Sequence, residues 1–76
     1  MRKYKMFNGE ELEIGDEIRF GDLWQSDDGD PDEILDSGCV WIANDKNDAP
    51  VIADFIIIWE DNDNSMNTIV KITGIR

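Results

Sequence analysis

The chain has 76 residues, with 18 acidic and 7 basic side chains, no histidine and one cysteine, for a net charge of −11. That length makes one domain, residues 1–76, with no room for a cofactor-binding domain beside it. Without histidine the usual proton shuttle is missing, and a lone cysteine forms neither an internal disulfide nor a structural zinc site, so no cofactor or metal is expected.

The first apolar-rich run, Tyr4-Lys5-Met6-Phe7, is followed by Asn8-Gly9 and then by Glu10-Glu11-Leu12-Glu13-Ile14. Asn-Gly between such runs is a strong hairpin signal, because both central residues of a type I′ turn need positive φ. Leu12 and Ile14 then share one face and Glu11 and Glu13 the other. Gly15-Asp16 breaks the chain before a short strand, Glu17-Ile18-Arg19-Phe20, which Gly21-Asp22 ends.

An acidic segment follows, Ser26-Asp27-Asp28-Gly29-Asp30-Pro31-Asp32-Glu33. Its second half predicts one short helix near residues 31–36. Asp30 suits the N-cap, Pro31 the first helical position, Glu33 a capping box and Gly38 the C-terminal stop. Asp32 and Glu33 also suit the positive end of the helix dipole.

The second half of the chain reads as strands. Cys39-Val40-Trp41-Ile42-Ala43 is β-branched and aromatic. Residues 44–48 read as a loop, which Pro50 prolongs. Phe55-Ile56-Ile57-Ile58-Trp59 is apolar on both faces, as in a central, fully buried strand. Residues 60–65 make a polar turn, and residues 68–75 the last strand. The expected fold is mainly β: a small antiparallel SH3-like barrel or strongly bent sheet of five to six strands with one short helix. The expected core is Met6, Leu12, Ile14, Ile18, Phe20, Val40, Ile42, Ile56, Ile58, Val70 and Ile72.

The charge is unevenly placed. Arg2, Lys3 and Lys5 open the chain, and Lys71 and Arg76 close it; residues 6–70 hold only Arg19 and Lys46 against every acid, a net of −16. Such a field repels nucleic acid and anionic lipid and attracts basic surfaces. The longest apolar run, residues 55–59, is far short of the roughly 20 residues of a membrane-spanning helix. No apolar stretch follows the basic start as it would in a signal peptide. A free Cys39 agrees with a reducing compartment, so a cytoplasmic location is expected.

The acidic loops invite a calcium reading, since both Asp28-Gly29-Asp30-Pro31-Asp32 and Asp61-Asn62-Asp63-Asn64-Ser65 offer oxygens at alternate positions. Neither loop has the glycine at position six or the glutamate at position twelve of an EF-hand. Catalysis has little support: only Asp54, beside Phe55, sits in an apolar context, and Cys39 has no histidine to activate it.

Two resemblances add to this. Leu12-Glu13-Ile14-Gly15-Asp16-Glu17-Ile18-Arg19-Phe20, with Thr68-Ile69-Val70-Lys71-Ile72-Thr73-Gly74-Ile75, resembles strand signatures of small SH3-like and PUA/ASCH-like barrels, which implies a barrel. In length, acidity and its three closing strands, the chain is similar to the uracil-DNA glycosylase inhibitor type of phage DNA mimic. Those inhibitors insert an acidic edge segment of the form Glu-Ser-Ile-Leu, and Asp32-Glu33-Ile34-Leu35 is the nearest match. That resemblance implies a small acidic decoy, phage-encoded, of an anti-defence kind.

The leading expectation is therefore a non-enzymatic DNA-mimic inhibitor that fits the basic groove of a nucleic-acid-handling protein and binds neither nucleic acid nor membrane itself. Along an extended strand, residues i and i+2 lie about 6.6 Å apart on one face, a spacing comparable to that of phosphates. Asp27, Asp28, Asp30, Asp32, Glu33 and Asp36 form the candidate decoy face, with Trp24 as an aromatic anchor. The competing expectation is a structural or assembly β-barrel module whose acidity serves solubility only.

Overall fold

The computed structural model describes residues 3–76, so Arg2 of the basic start lies outside the described residues. The fold is mainly β, with two antiparallel sheets. A small hairpin pairs β1 (Tyr4–Lys5) with β2 (Glu11–Leu12). The larger sheet holds β3 (Glu17–Arg19), β4 (Cys39–Asn44), β5 (Pro50–Trp59) and β6 (Ile69–Ile75), in the order β3-β6-β5-β4. Two helices, α1 (Phe20–Leu23) and α2 (Pro31–Ser37), lie between β3 and β4 in the chain.

Irregular pairing curls the large sheet into a half-barrel. The register shifts between Trp41 and Ala43 where β4 meets β5, and at Asp54/Phe55 and Ile57/Trp59 where β5 meets β6. The shifts leave Ile42, Thr73 and Ile58 as extra residues. Each such bulge bends its strand and adds right-handed twist, so three of them on neighbouring strands wrap the sheet round its own inner face.

That inner face carries the core. Leu12, Phe20, Leu23, Val40, Ile42, Val70 and Ile72 are fully enclosed, and Phe20 packs against Phe55 with ring centroids 6.0 Å apart. Met6, Leu12, Phe20, Val40, Ile42, Val70 and Ile72 are buried as expected, and Ile18 is half-buried against them. Ile14, Ile56 and Ile58 are not core residues: they are 49%, 53% and 44% exposed. Ile14 sits in the turn that Gly15 makes at φ 98°, rather than in a strand. In β5 the inward positions are Ala53 and Phe55, so strand alternation sends Ile56 outward, and Ile58 is the bulge residue.

Three local expectations also shift. The first hairpin turns at Phe7-Asn8, not Asn8-Gly9: Gly9 N–H donates to Met6 C=O at 3.0 Å and Met6 N–H to Glu10 C=O at 2.8 Å. Only Gly9 of these has positive φ, 88°. It acts as the bulge glycine of a longer turn, and the Asn8 side chain instead accepts from Glu10 N–H at 2.9 Å. Phe20 begins α1 rather than ending a strand. Pro50 opens β5 opposite Asn44, a position where its missing N–H breaks no ladder.

The short helix is where the sequence puts it. The Asp30 carboxylate caps it by accepting from Asp32 N–H at 2.9 Å, and Gly38 ends it in the left-handed conformation, φ 76°. Gly38 C=O then accepts from Phe55 N–H at 2.9 Å, which starts the pairing of β4 with β5.

Phe20→Ala should cost about 3–5 kcal/mol, because it empties a fully enclosed site. Ile14→Ala should stay within about 0.5 kcal/mol. Urea unfolding of both variants checks the assignment; equal losses would contradict it.

Candidate functional site

The acidic segment is built by local hydrogen bonding into a folded-back strap. Trp24 leaves α1 and packs half-buried against the core, and its indole N–H donates to Gly29 C=O at 2.9 Å. Residues Ser26–Asp28 form a 3-10 turn. The Asp28 carboxylate accepts the backbone N–H of Trp41 at 3.0 Å. β4 is an edge strand, and this bond occupies a donor that would otherwise face outward. On the same strand, Ile42 C=O accepts Phe7 N–H at 2.9 Å, and the Phe7 ring meets Trp41 edge-on at 4.8 Å.

The candidate residues therefore divide by what they do. Asp28 and Asp30 hold the strap and cap α2, and Trp24 braces the strap from beneath. Asp27, Asp32, Glu33 and Asp36 are exposed. Asp28, Asp30 and Asp32 do not form an extended row, since a 3-10 turn, a cap and a helix intervene. On α2, Asp32 and Asp36 are four residues apart and share one side, about 6 Å apart along the axis. The segment Asp32-Glu33-Ile34-Leu35 is helical, with Leu35 buried and Ile34 half-buried.

Asp32 and Asp36 meet acids from the far half of the chain. A groove of about 200 Å³ is lined by Asp32, Leu35 and Asp36 of α2, Ile57 of β5, and Glu60, Asp61 and Asn62 just beyond it. Ser65 and Thr68 close its floor. Thr68 is fully enclosed, and its hydroxyl accepts Asp61 N–H at 3.2 Å. The Asp61 carboxylate accepts the N–H groups of Asn64 at 3.1 Å and Asp63 at 2.9 Å. Those bonds, Asn64 first, hold its pKa below the ordinary 3.8. Both bonds fall on Oδ1, which fixes the carboxylate within its own turn at the rim of the groove.

Glu60, Asp61 and Ile57 are site residues that the sequence reading missed. The available signal was the polar turn directly after an apolar strand, but nothing local shows which helix it approaches.

Lys3, Lys5 and Lys46 line a separate, open groove of about 490 Å³ with Tyr4, Asp45 and Val51. Lys46, in the middle of the sequence, thus joins the basic start of the chain. This groove lies at the β4–β5 turn and reaches Val51, and the acidic groove lies at Ile57, six residues or about 20 Å further along β5. Asp54, beside Phe55 on β5, is ion-paired with Arg76 at 3.2 Å.

Asp28→Ala should cost about 1–2 kcal/mol by orphaning the Trp41 N–H, and Asp28→Asn clearly less. Thermal unfolding of the pair checks this. Asp61 adds a pH signature. A carboxylate with a depressed folded pKa gives stability that is complete above its unfolded value, near 3.8, and lost as pH falls through the folded value. Asp61→Ala should therefore unfold earlier than the parent near pH 6, and the gap should close towards about pH 2.

No protein-family model matches the chain. No curated protein and no solved structure matches it either.

Proposed function

We propose that this chain is a non-enzymatic binding protein that sets carboxylates against the basic, nucleic-acid-binding groove of another protein, acting as a DNA-mimic inhibitor. The observation that carries the reading is the convergence of Asp32 and Asp36 with Glu60 and Asp61 on one groove, apart from the one that Lys3, Lys5 and Lys46 line. A protein that grips phosphates with lysine and arginine takes much of its affinity from those charges, and carboxylates held in place offer the same attraction. Asp27 and Glu33 extend the acidic surface. The cap at Asp30 and the Asp28–Trp41 bond supply rigidity, which reduces the ordering cost on binding. A decoy of this kind fits the phage or mobile-element role that the glycosylase-inhibitor resemblance implies.

A second reading has its own observation. Ile56, Ile57, Ile58 and Trp59 are all exposed on one strand, as an assembly module would require. In that reading association would be nearly indifferent to salt.

The test uses immobilised protein and a variant in which Asp27, Asp28, Asp30, Asp32, Glu33, Asp36, Glu60 and Asp61 become amides. Asparagine still caps helices and still accepts hydrogen bonds, so the fold should survive. The parent should retain a basic nucleic-acid-binding protein from host lysate at low salt and release it to high salt or to competing duplex DNA. Equal retention by the folded amide variant would overturn the proposal.

A further inference from the structure

β5 is longer than its neighbour. β4 begins at Cys39, opposite Asp54, so among the described residues no strand lies beside residues 56–59 on that side. On the other side β6 continues, with Ile56 opposite Lys71, Ile57 opposite Val70 and Trp59 opposite Ile69. The last bond on the β4 side is Phe55 N–H to Gly38 C=O. Backbone groups of alternate residues point the same way, so Ile57 presents its N–H and C=O to the open side. The acidic groove lies there, between the end of β5 and α2, where β4 would run if it continued.

We propose that this end of β5 accepts an added strand from the protein partner, and that the segment it accepts alternates basic and apolar residues. The alternation follows from the two faces of β5. Ile57 shares the inner face with Val70 and lines the groove with Asp32, Asp36, Glu60 and Asp61, so an added strand meets carboxylates on that side. Ile56, opposite exposed Lys71, and Trp59 lie on the outer face and are 53% and 56% exposed, so the side chains between the basic ones meet apolar surface. Main-chain bonds to the free edge supply affinity, and the two faces supply specificity.

Charge decides between occupants. Pairing two copies along this edge would bring two acidic rims together, in a protein of net charge −11. Charged residues beside an open strand are a device against self-pairing, and here they disfavour a second copy while attracting a cation-bearing strand. The proposal rests on the acidic-face reading for the partner's sign of charge, and adds the backbone conformation of the segment that binds.

The probe is a short fluorescent peptide of alternating valine and lysine, followed by anisotropy at low salt. Three controls accompany it: an isomer with all valines first and all lysines last, the peptide N-methylated on the residues that face β5, and the protein variant Ile56→Thr/Trp59→Thr. The alternating peptide should bind about tenfold more tightly than its isomer, and each of the other two changes should weaken it by a similar factor. Equal binding of alternating, block and N-methylated peptides would overturn the added strand and leave the acidic face standing as a purely electrostatic site. No binding of any cationic peptide would overturn both. A concentration-dependent dimer by sedimentation, lost in the Trp59→Thr variant and unaffected by peptide, would assign the edge to a second copy and overturn the proposal.

Discussion

The layout of the sheet and of the groove beside it turns on the hydrogen bond from Phe55 N–H to Gly38 C=O. It is the point at which a helix becomes a strand and a neighbouring strand loses its partner. Gly38 reaches it because glycine adopts the left-handed conformation, φ 76°, that reverses the chain there. On one side of this bond β4 and β5 pair in register, and Phe55 turns its ring into the core against Phe20. On the other side α2 diverges and β5 runs on past it with β6 alone beside it. The acidic groove is the wedge between them.

The two ends of the large sheet handle their free backbone groups in different ways. β4 is an edge for its whole length, and the chain covers it: Asp28 takes the Trp41 N–H, and Phe7 donates to Ile42. Thus part of the acidity serves the fold. The far end of β5 has carboxylates near it but no such cover. An aspartate and a hairpin loop close one edge, while the more apolar end of β5 keeps its edge open.

What the sequence made legible was whatever depended on neighbours. The bounds of α2 follow from Asp30, Pro31 and Gly38, each acting within a turn of itself. The core faces of β4 and β6 follow from alternation, because Val40 and Ile42, and Val70 and Ile72, have less apolar or polar residues between them. Residues 55–59 carry no such contrast: five apolar residues in a row have no phase, so inward and outward positions were set by pairing with β6 and by the bulge at Ile58. The meeting of α2 with Glu60 and Asp61 was equally invisible, because the sheet topology makes it. Asp28 and Trp24 were visible as residues but not as roles; an acid that satisfies a distant backbone N–H looks the same in sequence as one that faces solvent.

Lys3, Lys5 and Lys46 stand towards one end of β5 and the acidic groove towards the other, with Lys71 of β6 on the opposite face beside Ile56, so charge is unevenly divided along the strand. In the field of a positively charged partner such a molecule feels a torque as well as an attraction. It would turn before it arrives, with the acidic groove leading and Lys3, Lys5 and Lys46 trailing. Much of the rotational search that slows the docking of two specific patches would then be completed during approach, and the benefit would appear in the rate of association more than in the lifetime of the complex.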